Sequence, residues 1–177
     1  GNAMNYCSDC GKPIVIEIPD GDNALRHVCS ACRTIHYKNP LVVVGCVPEW
    51  EGKLLLCKRA IEPRLGYWTA PAGFMELGET LEEGAARETL EEACAQVEIG
   101  SMLAAVSVRH VNQVHIMFRA RLLDGQFAAG SESLEVKLFS PDEIPWQDLA
   151  FPSVTFSIKK LLADPDGGMH SHSIEPR

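Results

Sequence analysis

Apolar positions along this chain fall into short blocks separated by turn residues. Leu41 to Val47 and Lys53 to Arg59 are rich in Val and Leu, and Pro48 to Gly52 between them carries the residues of a turn, so the pair predicts a β-hairpin. Met102 to Arg109 and Val114 to Leu122 predict a second hairpin, with Val114, Ile116, Phe118, Ala120 and Leu122 alternating inward. Leu134 to Phe139 reads as another strand, and Ser153 to Leu162 as a closing helix. A different period runs between the hairpins: Leu81, Ala85, Thr89, Ala93 and Val97 recur at near-fourfold spacing, which is the buried stripe of a helix. Thr80 followed by Glu83 is a capping box that starts this helix just after Gly78 and Glu79. Strands around one helix and closed by another predict a mixed α/β layered domain.

The polar side of the same helix changes the picture. Glu88, Glu91 and Glu92 fall within roughly 100° of arc, because positions three and four apart are neighbours on a helix surface. Arg87 lies four residues after Glu83 and four before Glu91, within reach of either. A charged helical face is ordinarily a solvated one, and exposed like-charge neighbours cost only about 0.2 to 0.5 kcal/mol per pair, so repulsion decides nothing. The loop just ahead, GYWTAPAGFMELG, reverses that judgement, because loop and helix together fix a motif of six positions across more than twenty residues; its glycines at 73 and 78 also permit tight turns and close approach of backbone to ligand.

Read from Gly73 to Ala95, GFMELGETLEEGAARETLEEACA resembles the signature of the Nudix hydrolases. Gly73, Glu79, Arg87, Glu88, Glu91 and Glu92 fill its glycine and charged positions. Thr89 stands where an aliphatic residue is usual, and Cys94 where a second glycine is usual. The resemblance implies an α/β/α sandwich with a mixed sheet. It also implies a catalytic magnesium, or manganese, held by Glu88, Glu91 and Glu92 with the backbone carbonyl of Ala72, and an Arg87 that orients a glutamate. Glu79, Arg87, Glu88, Glu91 and Glu92 would thus be the catalytic set. Hard oxygen donors suit magnesium, which neutralises phosphate oxygens and acidifies the attacking water of a diphosphate hydrolysis.

The first forty residues follow another logic. Cys7 with Cys10 and Cys29 with Cys32 are two Cys-x-x-Cys pairs with eighteen residues between them, the spacing of a structural zinc site. Disulfides are the competing reading, and a reducing compartment disfavours them. A segment as short as 4–38 buries too little surface to fold unaided, whereas structural zinc contributes an apparent ~10 to 16 kcal/mol in small modules. Four thiolates leave no open coordination position. His27 and His36, near the second pair, are alternative ligands that four cysteines in register make unnecessary. Cys46, Cys57 and Cys94 read as small buried apolar groups. The expected organisation is therefore a zinc ribbon at 4–38, a hydrolase domain at 39–164, and a Gly, His and Ser rich mobile tail at 165–177.

With 46% hydrophobic and 23% charged residues in 177, the composition is that of a globular protein, and no apolar run approaches a membrane span. Gly1 to Ala3 precede Met4 and read as a cloning remnant; no signal peptide follows, so a cytoplasmic location is expected. A net charge of −8 argues against phosphate-backbone binding, and the ribbon has four basic and four acidic residues between Asn5 and Pro40, so no nucleic-acid partner is expected. A small nucleoside diphosphate derivative is the expected partner, and a homodimer is common among relatives.

Substrate contacts are less legible. Tyr67, Trp68 and Phe74 are candidates to stack on a base, although aromatics beside a loop are more often core. Arg59, Arg64 and Arg109 are candidates for phosphates, and Glu132 or Glu135 for a base from outside the helix, although surface arginine and glutamate are usually solvated. A ribbon ahead of this domain, with the later ESLEVKLFSPDEIPW, looks like the Nudix subgroup that hydrolyses ADP-ribose or flavin and nicotinamide dinucleotides. The Ser-Gln-Pro-Trp-Pro-Phe-Pro signature of its NADH pyrophosphatases is absent from Val106 to Val114, and Val111 stands where ADP-ribose pyrophosphatases often have proline. ADP-ribose or FAD is favoured, with NADH or another dinucleotide as the alternative. A non-catalytic module that docks a protein or nucleic acid through the ribbon is the contrasting hypothesis.

Overall fold

The computed structural model describes residues 4–175. Contacts divide the chain after Pro40 into two compact units. The first is a three-stranded antiparallel sheet, ordered β1 (Ile14–Glu17), β2 (Arg26–Cys29) and β3 (Ile35–His36).

The second unit is built on an eight-stranded mixed sheet. Along the sheet the order is β10 (Ser133–Phe139), β5 (Lys53–Arg59), β4 (Leu41–Trp50), β9 (Gln113–Leu122), β8 (Val97–Val108) and β11 (His170–Ile174). Two short strands of the glycine loop complete it, with β6 (Trp68–Thr69) on β5 and β7 (Ala72–Phe74) on β4. The β4–β9 and β8–β11 pairs are parallel and the others antiparallel.

Helix α1 (Leu81–Ala93) covers one face of the sheet, where Ala85 meets Cys46, Phe118 and Ala120. Helix α2 (Pro152–Ala163) covers the other, where Val154, Ile158 and Leu161 meet Val47, Leu103, Val106 and Met117. This is the expected α/β/α sandwich. Because both faces are covered, Met117 is as buried as Phe118, and β9 is not the one-sided strand that its alternation predicts.

Several boundaries differ from the sequence expectation for identifiable reasons. The first hairpin turns at Glu51 and Gly52, both with positive φ (50° and 79°), and β4 runs on through Pro48. Val97, placed by its spacing on the helix, opens β8 instead, because α1 ends at the left-handed Cys94. The segment expected to be a mobile tail contains strand β11. Arg119 supplies the reason, since a chain of backbone acceptors is fastened to one buried guanidinium. It donates from Nε to the Pro165 carbonyl, from one terminal nitrogen to Ser101 Oγ and the Met102 carbonyl, and from the other to the Asp164 and Gly168 carbonyls, all within 2.8–3.1 Å. Residues 176–177 lie outside the described residues. No helix among the described residues is long and apolar enough to cross a membrane.

Candidate active site

The carboxylate face begins at the N-terminus of α1. Thr80 caps the helix, accepting from the Glu83 backbone N–H at 3.1 Å, and Glu83 returns the bond to the Thr80 N–H. Glu83 is therefore committed to the cap, and Arg87 turns elsewhere. Its Nε and one terminal nitrogen grip Glu79 in a two-pronged bond of 2.9 and 2.8 Å. The other terminal nitrogen reaches Glu88 Oε1 at 2.8 Å and, more loosely, Glu91 at 3.3 Å. A fourth acceptor, the Phe74 carbonyl at 3.1 Å, ties the glycine loop to the helix.

Spacing along the helix had offered Glu83 or Glu91 to Arg87; Glu79, eight residues away, is the main partner because Gly78, at φ 82°, turns the chain back over the helix start. Glu79 also accepts from the Glu76 N–H at 2.7 Å. The Arg87 guanidinium, followed by that N–H, holds the Glu79 carboxyl down at about 2.

Gly73 has a separate necessity. A Cβ built there would lie 2.3 Å from the Glu88 carboxyl carbon, so β7 and the Glu88 carboxylate share a space that only glycine leaves open. Glu88 is only 9% exposed. Behind it lies Glu92, whose carboxyl is pushed up to about 9 by burial and then by hydrogen bonding and charge from Glu88, against the opposing pull of the Ala72 N–H and Arg59. A buried carboxyl beside a second carboxylate is a place where negative charge is costly, and a bound cation would relieve it. Glu91, by contrast, is exposed.

Carboxylate oxygens are hard donors of the kind that magnesium takes. These donors are not pre-gathered, however. Among the described residues the only set of three or more His, Cys, Asp or Glu ligand atoms within 4.8 Å of one another is the cysteine set.

The two positions that depart from the signature explain themselves. Thr89 is fully buried, and its hydroxyl donates to the Ala85 carbonyl at 2.8 Å and touches Cys46 Sγ at 3.1 Å. Satisfied in this way, it packs as an aliphatic residue would. Cys94 is the C-cap in left-handed conformation (φ 48°), the backbone state that a glycine supplies without strain. The carbonyls at this helix end are taken up by the following loop. Glu92 O accepts from Gly130 N–H at 3.0 Å and from Ser133 Oγ at 2.8 Å, and Ala93 O accepts from Ala128 N–H at 2.8 Å.

The other predicted contacts separate. Trp68 stands edge-on to Phe139 (centroids 4.9 Å apart, 84°) against the core, whereas Phe74 is 53% exposed beside the Gly73 turn. Arg64 lies 3.8 Å over the Tyr67 ring, and Arg59 lies 5.0 Å over Phe151, a partner that no sequence signal singled out. Glu132 is exposed and accepts from the Ala60 N–H through its carbonyl; Glu135 faces Lys58 across the β10–β5 register, beside a bulge. Arg109 is engaged elsewhere, with Glu175 at 2.8 Å.

In the ribbon the four thiols of Cys7, Cys10, Cys29 and Cys32 converge, with Cys7 and Cys32 sulfurs 3.7 Å apart and Cys10 and Cys29 3.4 Å apart. Tetrahedral zinc with Zn–S bonds of about 2.3 Å requires sulfurs about 3.8 Å apart, so the set fits. Backbone N–H groups of Asp9, Ala31 and Cys32 point at the sulfurs of Cys7 and Cys29 from 3.3–3.4 Å. The Ala31 and Cys32 donors bring the Cys29 thiol down to about 6 against its desolvation. Cys10 rises to about 11, despite the Lys12 N–H, through its thiol neighbours, first Cys29, and through burial. A metal bound by these thiolates would displace their protons. His36 Nε2 lies 3.2 Å from Cys7 Sγ, beside the tetrad rather than in it.

Two family models match consecutive parts of the chain: the zinc ribbon described as Nudix N-terminal over residues 5–38, and the NUDIX domain over residues 39–162. An ADP-ribose pyrophosphatase of Methanocaldococcus jannaschii is 31% identical over 134 residues, covering 72% of this chain and 74% of the relative. A NAD-capped RNA hydrolase NudC of Vibrio vulnificus is 29% identical over 148 residues, covering 80% of this chain; the chain spans only 53% of that relative's length. Among solved structures, a NUDIX hydrolase from Nitrosomonas europaea has a TM-score of 0.93 at 52% identity, covering 98% of this chain and 100% of the other.

Proposed function

Because this chain belongs to the Nudix hydrolases, we propose that it hydrolyses the diphosphate bond of a nucleoside diphosphate derivative, ADP-ribose or FAD, to release a nucleoside monophosphate. In this reading residues 4–38 are the zinc ribbon and 39–164 the hydrolase domain. The observation that carries it is the pairing of the raised Glu92 with the buried Glu88 under the Gly73 turn, an arrangement that a divalent cation would relieve. Glu88, Glu91, Glu92 and the Ala72 carbonyl would hold magnesium or manganese. Once bound, the metal would neutralise phosphate oxygens and acidify the attacking water. Arg87 keeps Glu88 aimed, and Glu79 keeps Arg87 in place. The four cysteines would hold a structural zinc that takes no part in the reaction.

The second reading is a nicotinamide dinucleotide, free or as an RNA cap, because the Vibrio relative that carries that name matches 80% of this chain. Incubation of ADP-ribose, FAD, NADH, diadenosine polyphosphates, nucleoside triphosphates and NAD-capped RNA with magnesium, followed by product identification, separates the two. ADP-ribose or FAD should give AMP at the highest kcat/KM. Glu92→Gln should cut turnover by about 10² to 10⁴ with the melting temperature kept. A fully active Glu92→Gln protein would remove the assignment.

A further inference from the structure

Helix α1 ends where its own charges least favour an end. Its last turn carries Glu91 and Glu92 and no basic residue, so two carboxylates stand at the negative end of the helix dipole. The final carbonyls of a helix also lack partners inside it, and a turn left in that state frays. Cys94 meets one of them, donating its N–H to the Leu90 carbonyl at 3.0 Å. Two more depend on the stretch of chain between β9 and β10. Gly130 N–H and Ser133 Oγ both donate to the Glu92 carbonyl, at 3.0 and 2.8 Å, and Ala128 N–H donates to the Ala93 carbonyl at 2.8 Å. That stretch is itself anchored at two points. Phe127 packs against the buried cluster of Leu55, Cys57, Ala93 and Leu122, and the Glu132 carbonyl accepts from the Ala60 N–H at 2.9 Å. Donors on an anchored backbone have already lost the freedom that these bonds would otherwise cost.

Gly130 shows how close the approach is. A Cβ built there would lie 1.9 Å from the Glu91 carbonyl oxygen, and 3.0 and 3.3 Å from the Glu91 and Glu92 carbonyl carbons. Its φ is not positive, so the overlap alone excludes a side chain. The obstacle is main chain, which cannot swing aside as the tip of a side chain can. Gly73 leaves room for the Glu88 carboxylate at one end of the row, and Gly130 meets the Glu91–Glu92 peptide at the other. Both Gly130 and Ser133 lie outside the signature that runs from Gly73 to Ala95.

We propose that Gly130 and Ser133 are positioning residues for the carboxylate row: they keep the last turn of α1 wound, and so hold Glu91 and Glu92 where they can share a divalent cation with Glu88. They act through the Glu91 and Glu92 backbone rather than on the substrate. The inference rests on the hydrolytic reading above. A frayed turn would let the two carboxylates drift from Glu88, and a metal site is sensitive to such drift because its ligands must converge on one point.

The test is a metal titration that needs no turnover. Manganese added to the zinc-loaded protein, followed by the paramagnetic resonance of the free ion, should bind wild type. Ser133→Ala should bind it about fivefold more weakly, the worth of one net hydrogen bond to the Glu92 carbonyl. Gly130→Ala should bind it at least about tenfold more weakly, because the backbone of two ligands must move. Ser133→Thr, which keeps the hydroxyl, should match wild type. In turnover, the magnesium concentration for half-maximal rate should rise by the same factors, and excess magnesium should restore kcat, which a merely structural defect would not allow. Unchanged manganese affinity in folded Ser133→Ala and Gly130→Ala, whatever their melting temperatures, would overturn the positioning role. A wild type that binds manganese in this Ser133-dependent way but hydrolyses no diphosphate would sink the proposed reaction and leave the positioning role standing. No manganese binding by wild type would overturn both. Should Gly130→Ala fail to fold, Ser133→Ala and Ser133→Thr decide on the same titration.

Discussion

The four thiols of the ribbon and the glutamates of α1 are both anionic ligand sets, and they are held by opposite means. In the ribbon, two Cys-x-x-Cys turns and the backbone N–H groups of Asp9, Ala31 and Cys32 bring four sulfurs within 4.8 Å of one another. Among the described residues of that unit only Val28, Cys7 and Cys29 are buried apolar groups, while Tyr6, Ile16, Ile18 and Leu25 are exposed. The glutamates lie off the apolar stripe by which their helix packs on the sheet, and Arg87 bridges Glu79, Glu88 and Glu91. A zinc held by the four thiols would therefore be the core of one unit, whereas a cation on the glutamates would be a visitor to the other.

The sharpest way to break this comparison is to remove zinc. A strong chelator should unfold residues 4–38, exposing their amides to hydrogen exchange, while the sheet of the main domain keeps its protection. Retained protection in the ribbon without zinc would remove the distinction.

Next in size is Gly73→Ala. Its methyl would overlap the Glu88 carboxyl at 2.3 Å, so kcat should fall about a hundredfold through displacement of one ligand. Equal loss in thermal stability and in activity would instead show a general disruption of β7.

A smaller effect separates two glutamates by pH. The Glu79 carboxyl, held at about 2 against a reference of 4.5, contributes stability above pH 4.5 that is lost as pH falls towards 2. Glu92, raised to about 9, has the opposite sign, and its contribution is full below pH 4.5 and lost as pH rises to 9. Zinc-loaded, magnesium-free protein should accordingly melt lower at pH 8.5 than at pH 6, and magnesium should raise the melting temperature more at pH 8.5. A magnesium shift that is the same at both pH values would contradict the placement of Glu92 at the metal.

The smallest expected change is Cys94→Gly, which should stabilise the protein by about 0.5 kcal/mol because φ 48° strains any residue with a Cβ. Calorimetric melting checks it, and a loss of stability would mean that the Cys94 side chain contributes contacts outweighing the strain.

Much of both regions was legible in the chain, to different depths. The Cys-x-x-Cys spacing is a local constraint, and the structure gathers the same four cysteines that it named. The capping box and the buried stripe of Ala85, Thr89 and Ala93 are local too, and they placed α1 correctly except at its end. Val97 escaped because periodicity is blind to the left-handed turn at Cys94. Arg87 was expected to pair with Glu83 or Glu91; it does reach Glu91, but Glu83 was already spent on the cap and the loop brought Glu79 in as the main partner. Strand β11 was hidden because its residues, His170–Ile174, have no apolar alternation; a buried arginine on another strand organises the segment ahead of it.

What the sequence determined by itself was therefore everything carried by short spacing: the thiol pairs, the helix with its cap, and the glutamates on one helical face. Only the tertiary structure decided which charges meet. Glu79 reached Arg87 across a turn, Gly73 was vacated for the Glu88 carboxylate, and Arg59 and Arg64 came together over residues 150–151. The reason is that charge acts through distance and burial, and both depend on how loops far apart in the chain are laid against the same sheet.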